Sequence, residues 1–138
     1  MTETTSVQAA TVIWPTMTYR DPNAAIAFLE KAFGFRTVAK HGAGDMVAHA
    51  EMSWPGGGGI MLGSWREDSP LSCSPPASGS VYIVVEDPDA LYASAVAAGA
   101  TITRELLDET DYESRGFTCR DPEGVSWSFG TYPGEPAE

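Results

Sequence analysis

Tyr19-Arg20-Asp21-Pro22 closes a β-branched, aromatic run and opens a helical one that stops at Gly34; Val85-Glu86-Asp87-Pro88 does the same ahead of Gly99. The two Asp-Pro pairs stand 66 positions apart (87 − 21). An Asp carboxylate caps the free N–H groups of a first helical turn, and Pro at the first helical position loses no hydrogen bond. Between cap and stop, Ala25, Phe28, Leu29, Ala32 and Phe33 recur at helical spacing, as do Leu91, Tyr92, Ala95 and Ala98. Whole supersecondary units echoed at a fixed period mark a duplicated architecture.

Each Asp-Pro unit is flanked by strand signals. Residues 11–19, 35–41, 46–54 and 60–64 read as strands around the first helix, and 80–85, 101–107, 116–120 and 125–131 around the second. In 46–54 the alternation predicts Met46, Ala48, Ala50, Met52 and Trp54 on one face and Val47, His49, Glu51 and Ser53 on the other. The fold class is therefore α+β, with two tandem βαβββ modules forming a curved mixed sheet around a cleft. One domain is expected over 11–132, with module one at 11–64, a Ser- and Pro-rich linker at 65–79 and module two at 80–132. Residues 1–10 read as a flexible N-terminus and 133–138 as a tail. The glycines at 56–59 lack a following Lys-Ser/Thr pair and a helix, so they read as a turn rather than a phosphate cradle.

Composition narrows the function classes. Of 138 residues, 43% are hydrophobic and 20% charged, which is the profile of a globular chain. The net charge of −11 disfavours nucleic acid, whose phosphates need basic partners, and suits a cationic ligand. No apolar run reaches the ~18 residues of a membrane span, and the polar start lacks the features of a secretory signal. Cys73 and Cys119 lie in no metal-ligand spacing and are expected as reduced thiols in a cytoplasmic protein.

Two stretches carry a family resemblance: Tyr19-Arg20-Asp21-Pro22 running to Ala32-Phe33-Gly34-Phe35, and Asp121-Pro122-Glu123-Gly124-Val125-Ser126-Trp127-Ser128-Phe129-Gly130. With His49-Ala50-Glu51 and Asp111-Tyr112-Glu113-Ser114-Arg115, the chain resembles the vicinal oxygen chelate superfamily, in its glyoxalase/bleomycin-resistance-like branch. The resemblance implies paired modules around a cleft. For the bleomycin-resistance type it implies a homodimer that sequesters a cationic antibiotic at the subunit interface. It also implies four metal-ligand positions, which fall here on Trp14, Ser80, Met61 or Leu62, and Ser128. None offers an imidazole, carboxylate or thiolate, so no metal and no cofactor are expected.

Candidate site residues follow from residue type and spacing. His49 and Glu51, two apart on one strand, share a face and form a candidate acid–base pair. Trp14, Leu62, Tyr82, Tyr112, Arg115 and Ser128 are the candidate ligand-binding residues, the aromatics for a flat or cationic ligand and Arg115 for an anionic group. Trp127 is expected under its helix, Trp54 on the apolar stripe, and Trp65 at the pocket mouth. No Gly-x-Ser-x-Gly turn signals a nucleophile. The expected function is a metal-free small-molecule-binding protein whose ligand is cationic or aromatic. The alternative is a lyase or isomerase using His49 and Glu51.

Overall fold

The computed structural model describes residues 11–70 and 74–137. Its first module runs β1 (Thr16–Tyr19), α1 (Pro22–Phe33), β2 (Arg36–Ala43), β3 (Met46–Ser53) and β4 (Gly59–Ser64). The second repeats the order as β5 (Ser80–Val84), α2 (Pro88–Ala97), β6 (Thr101–Asp108), β7 (Arg115–Arg120) and β8 (Ser126–Gly130). The strand orders match, β1-β4-β3-β2 and β5-β8-β7-β6, with one parallel pair in each sheet, β1 with β4 and β5 with β8. The α+β fold of two tandem βαβββ modules is thus the one expected, built as two four-stranded mixed sheets that share one hydrophobic core.

The caps are near copies. Asp21 (φ −127°, ψ 79°) accepts from the Ala24 amide and Asp87 (φ −127°, ψ 76°) from the Ala90 amide, both at 3.1 Å. Burial then diverges. In α1, Pro22, Ala25, Ile26, Phe28, Leu29, Ala32 and Phe33 are buried, whereas in α2 only Pro88 and Ala95 are. Phe33 explains the difference, because its ring touches Trp127 and Phe129 of β8 at 5.5 and 4.8 Å. Helix α1 therefore packs on both sheets, and the opposite face of each sheet stays open.

A buried carboxylate joins the modules. Asp121, 3% exposed, accepts from the Tyr19 hydroxyl at 2.6 Å and Trp127 Nε1 at 3.1 Å. Its other oxygen takes the amides of Glu123, Gly124 and Val125 at 2.9–3.1 Å. Burial and the Asp121 charge together push the Tyr19 phenol far above its ordinary pKa. Glu123 accepts in turn from the Arg20 and Asp21 amides at 2.8 and 2.7 Å, holding the entry to α1. In the sequence Asp121 stands between two strand segments at the head of the second family-resemblance stretch, and nothing there announces this junction.

Three expectations change. The first strand is shorter than 11–19, because Pro15 has no N–H to donate and pairing begins at Thr16. The alternation in β3 changes phase at Ala48: His41 pairs with His49 but Gly42 pairs with Val47, which leaves Ala48 as the extra residue of a bulge. Val47 consequently joins Ala50 and Met52 in the core, all at 0% exposure, while Met46 and Ala48 turn to the open face. Gly42 permits this at φ +139°, where a Cβ would lie 2.2 Å from the Met46 carbonyl oxygen. Finally, α2 ends at Ala97, and Leu91, Tyr92 and Ala98 are only partly buried against the core. Cys119 is a buried free thiol; Cys73 lies outside the described residues.

Candidate functional site

The open face of the first sheet is concave. It holds a cavity of about 490 Å³ bounded by Thr16 and Thr18 of β1, Met46 to His49 of β3 and Met61 to Ser64 of β4. Arg66, Ser69, Ser74, Pro75 and Ser78 close it from the segment after β4. That segment is tied down at both ends. The Trp65 amide donates to the Tyr19 carbonyl at 2.9 Å, the Ala77 amide to the Thr18 carbonyl at 2.7 Å, and Trp65 Nε1 to the Ser74 carbonyl at 3.0 Å. The lining is hydroxyls and thioethers around one imidazole and the Arg66 guanidinium, a surface for an amphipathic molecule.

His49 lies on this lining, with Nε2 2.9 Å from Glu51 Oε2, and its ring stacks on His41 at 6.4 Å and 17°. His49 and Glu51 side chains are 42% and 32% exposed. A carboxylate beside Nε2 favours the tautomer with the proton there, so the dyad can hold or pass one proton. Leu62 borders the cavity but is 4% exposed and belongs to the core; its neighbour Met61 is the one half-open to the cavity face. Trp14 lies across Gly59, where a Cβ would come within 3.0 Å of its ring, and it does not line this cavity.

The remaining candidates stand on module two. Tyr82 is 48% exposed and crosses β8 at Gly130, where a Cβ would come within 2.7 Å of the phenol oxygen. It donates to the Tyr132 carbonyl at 2.7 Å. Tyr112, 51% exposed, meets the Tyr132 ring edge-on at 5.3 Å. Ser128 shares a hydrogen bond of 2.8 Å with Thr118. Arg115 makes a different contact from the one anticipated: Nε and Nη2 hold Asp89 at 2.8 and 3.0 Å, and Nη1 lies 3.3 Å from Asp108. Those carboxylates raise the guanidinium pKa further, and the Arg115 bonds lower that of Asp89. Its fork is thus occupied by α2 and β6, and it tethers the loop that bears Tyr112.

Within one chain, then, His49, Glu51 and Leu62 come together, Tyr82 and Tyr112 come together, and the two groups lie on different sheets. Tyr132 escaped the sequence reading because it follows the last strand, where no periodicity marks it. The cavity-closing serines escaped because composition alone reads them as a linker.

The metal-ligand positions implied by the resemblance do not fit a divalent ion. Trp14, Met61, Ser80 and Ser128 supply no imidazole or carboxylate, and among the described residues no three His, Cys, Asp or Glu side chains converge.

The sequence matches the model of the Glyoxalase/Bleomycin resistance protein/Dioxygenase superfamily over residues 11–129. No curated protein matches it. Among solved structures, TioX from Micromonospora sp. ML1 is 30% identical with a TM-score of 0.75, over 88% of this chain and 98% of TioX. A superfamily enzyme from Burkholderia phytofirmans PsJN is 20% identical with a TM-score of 0.66, over 88% of this chain and 98% of its own. A glyoxalase I variant from Zea mays is 15% identical with a TM-score of 0.69, over 91% of this chain and 46% of its own. The latter two likenesses speak to the fold alone. With the family model spanning nearly all of the duplicated unit, the chain belongs to the glyoxalase/bleomycin resistance protein/dioxygenase superfamily.

Proposed function

We propose that this protein binds a small amphipathic molecule without a metal, as a sequestering protein of the bleomycin-resistance type, on the open face of its first sheet. The observation that carries the reading is the cavity of about 490 Å³, walled by hydroxyls, Met46 and Met61, with His49 as its one imidazole. The net charge of −11 favours a cationic ligand through the summed field. A homodimer belongs to the same proposal. The half-exposed Tyr82 and Tyr112 of a second copy would supply the aromatic surface that the cavity of one chain lacks.

A thermal-shift series with a cationic glycopeptide and a planar polycyclic cation tests this. A ligand at 100 times its dissociation constant adds about 2.7 kcal/mol. Met61→Arg, which places a cation in the cavity, is expected to remove the shift while leaving the unliganded transition in place. A shift that survives Met61→Arg would move the site elsewhere, and none with either probe would count against sequestration.

The 2.9 Å contact between His49 and Glu51 supports a second reading, a lyase or isomerase with this dyad as acid and base. His49→Ala is then expected to abolish turnover of any substrate found; unchanged turnover removes the dyad from the chemistry.

A further inference from the structure

Three titratable side chains meet on the open face of the first sheet. His41 of β2 and His49 of β3 are register partners, and their rings lie nearly parallel, 17° apart with centroids at 6.4 Å. Glu51 stands two residues beyond His49 on the same strand, with Oε2 2.9 Å from His49 Nε2. His49 borders the cavity and Glu51 lies behind it, so the carboxylate acts on a bound molecule through the imidazole.

The surrounding elements add only charges that stay constant near neutral pH. β1 brings Thr16 and Thr18 to the cavity, and β4 brings Met61, Gly63 and Ser64. On β2, Lys40 pairs with the core residue Ala50 and so lies on the opposite face, while Arg36 pairs with Ser53, the next outward residue after Glu51. Asp45 is in the turn between β2 and β3, outside the lining. In the segment after β4, Arg66 borders the cavity, whereas Glu67 and Asp68 are exposed and do not. Guanidinium keeps its charge throughout, and imidazole is the side chain whose charge changes between about pH 5 and 8.

The charge of this wall therefore follows the imidazoles. With His49 neutral, the pair it forms with Glu51 is a net anion; with His49 protonated, the pair is neutral and an imidazolium faces the cavity. His41 limits the uptake to a single favourable proton. A second imidazolium stacked on the first would meet a like charge, with one carboxylate between them to offset both.

We propose that Glu51 selects a cationic ligand for the cavity and that a proton on His49 opposes it, so that the protein releases its ligand as pH falls. The inference rests on the sequestration reading and adds the selectivity and the regulation of that site. At neutral and higher pH the net anion beside the wall favours a cation. On acidification the imidazolium cancels the carboxylate and sets its own charge against that of the ligand. An elementary charge about 8 Å away near a protein surface changes a binding constant about tenfold. Linkage is reciprocal, so a cation that prefers the unprotonated pair expels the proton when it binds.

Isothermal titration calorimetry of the full chain tests it with N-methylacridinium, whose charge does not titrate, and with methylanthracene, its neutral isostere. From about pH 8 to about pH 5.5 the dissociation constant of the cation is expected to rise about tenfold and that of the hydrocarbon to change by less than about twofold. At about pH 6, buffers of different ionisation enthalpy should show part of a proton released for each cation bound. Glu51→Gln is expected to weaken the cation about tenfold at about pH 8 and to spare the hydrocarbon, a split that loss of structure would not produce. His49→Gln should end the proton release and flatten the pH profile. Cation binding that is independent of pH overturns the coupling and leaves sequestration standing. A Glu51→Gln protein that binds the cation like the wild type overturns the selectivity. Proton release that survives His49→Gln and disappears in His41→Asn overturns the assignment to His49. No binding of the cation at any pH overturns the sequestration reading as well.

Discussion

The two modules follow the same backbone programme and spend it differently. Caps, strand order and the single parallel pair are repeated almost residue for residue. Yet α1 is sandwiched, its stripe reaching β8 through Phe33, while α2 covers its own sheet and leaves Val96 49% exposed. The open faces differ as well. Module one is roofed by the segment after β4 and encloses a cavity; module two presents Tyr82, Val84 and Tyr112 with no comparable roof among the described residues. Duplication thus fixes where hydrogen bonds and caps fall. What each copy buries depends on a few side chains that cross between copies.

The sharpest way to break this comparison is at the crossing itself. Asp121→Ala would leave the Tyr19 hydroxyl, Trp127 Nε1 and three amides without their shared acceptor. Loss of such a buried node is expected to cost about 3–5 kcal/mol, measured by urea denaturation. A loss below about 1 kcal/mol would mean that the modules do not depend on it. Next come the helices. Phe33→Ala is expected to cost about 3–4 kcal/mol and the partly buried Leu91→Ala about 1–2, since truncation cost grows with burial. Equal losses would show that the sandwich position of α1 carries no extra weight.

Alkaline pH probes module two in particular. Burial, and secondarily the Asp121 charge, push the Cys119 thiol from 9.0 up to about 12. A pKa raised in the folded state stabilises the protonated form. Its contribution is therefore complete below about pH 9 and lost as pH rises toward about 12, at no more than about 1.4 kcal/mol per unit. Cys119→Ala should flatten the decline between pH 9 and 10, before the phenols titrate in the unfolded chain. A decline unchanged by the substitution would assign it elsewhere.

Local chemistry was legible in the sequence, and long-range chemistry was not. The Asp-Pro starts, the Phe28–Phe33 stripe and the strand alternation follow from contacts within a few residues, and they place every element to within a few positions except the start of β1. The phase change in β3 needed the register of β2, which shifts at Gly42, and no local pattern announces it. Asp121 looks like any Asp-Pro turn until Tyr19, 102 positions away, is brought against it. The site residues divide the same way. His49 and Glu51 were paired by their spacing on one strand, and their side chains meet at 2.9 Å. Arg115 was read as a fork for an anionic group or for its loop neighbours Asp111 and Glu113, because Asp89, on another element, is invisible to a loop motif.

The caps give the smallest effect and the cleanest symmetry. Asp21 and Asp87 make the same 3.1 Å bond with nearly the same backbone angles, so replacing either by Ala should cost about 1 kcal/mol from the cap alone. The surroundings are unequal, because the Asp21 amide is also held by Glu123 at 2.7 Å and no such clamp joins Asp87 among the described residues. The clamp should keep α1 in place when its cap is lost, whereas α2 should fray. Hydrogen exchange can separate these outcomes. Asp87→Ala is expected to speed exchange across the first turn of α2, and Asp21→Ala to leave the first turn of α1 nearly as protected as before. Equal fraying in the two helices would mean that the crossing contacts at the entry to α1 add nothing to what the cap supplies, and the difference between the modules would then rest on Phe33 and Asp121 alone.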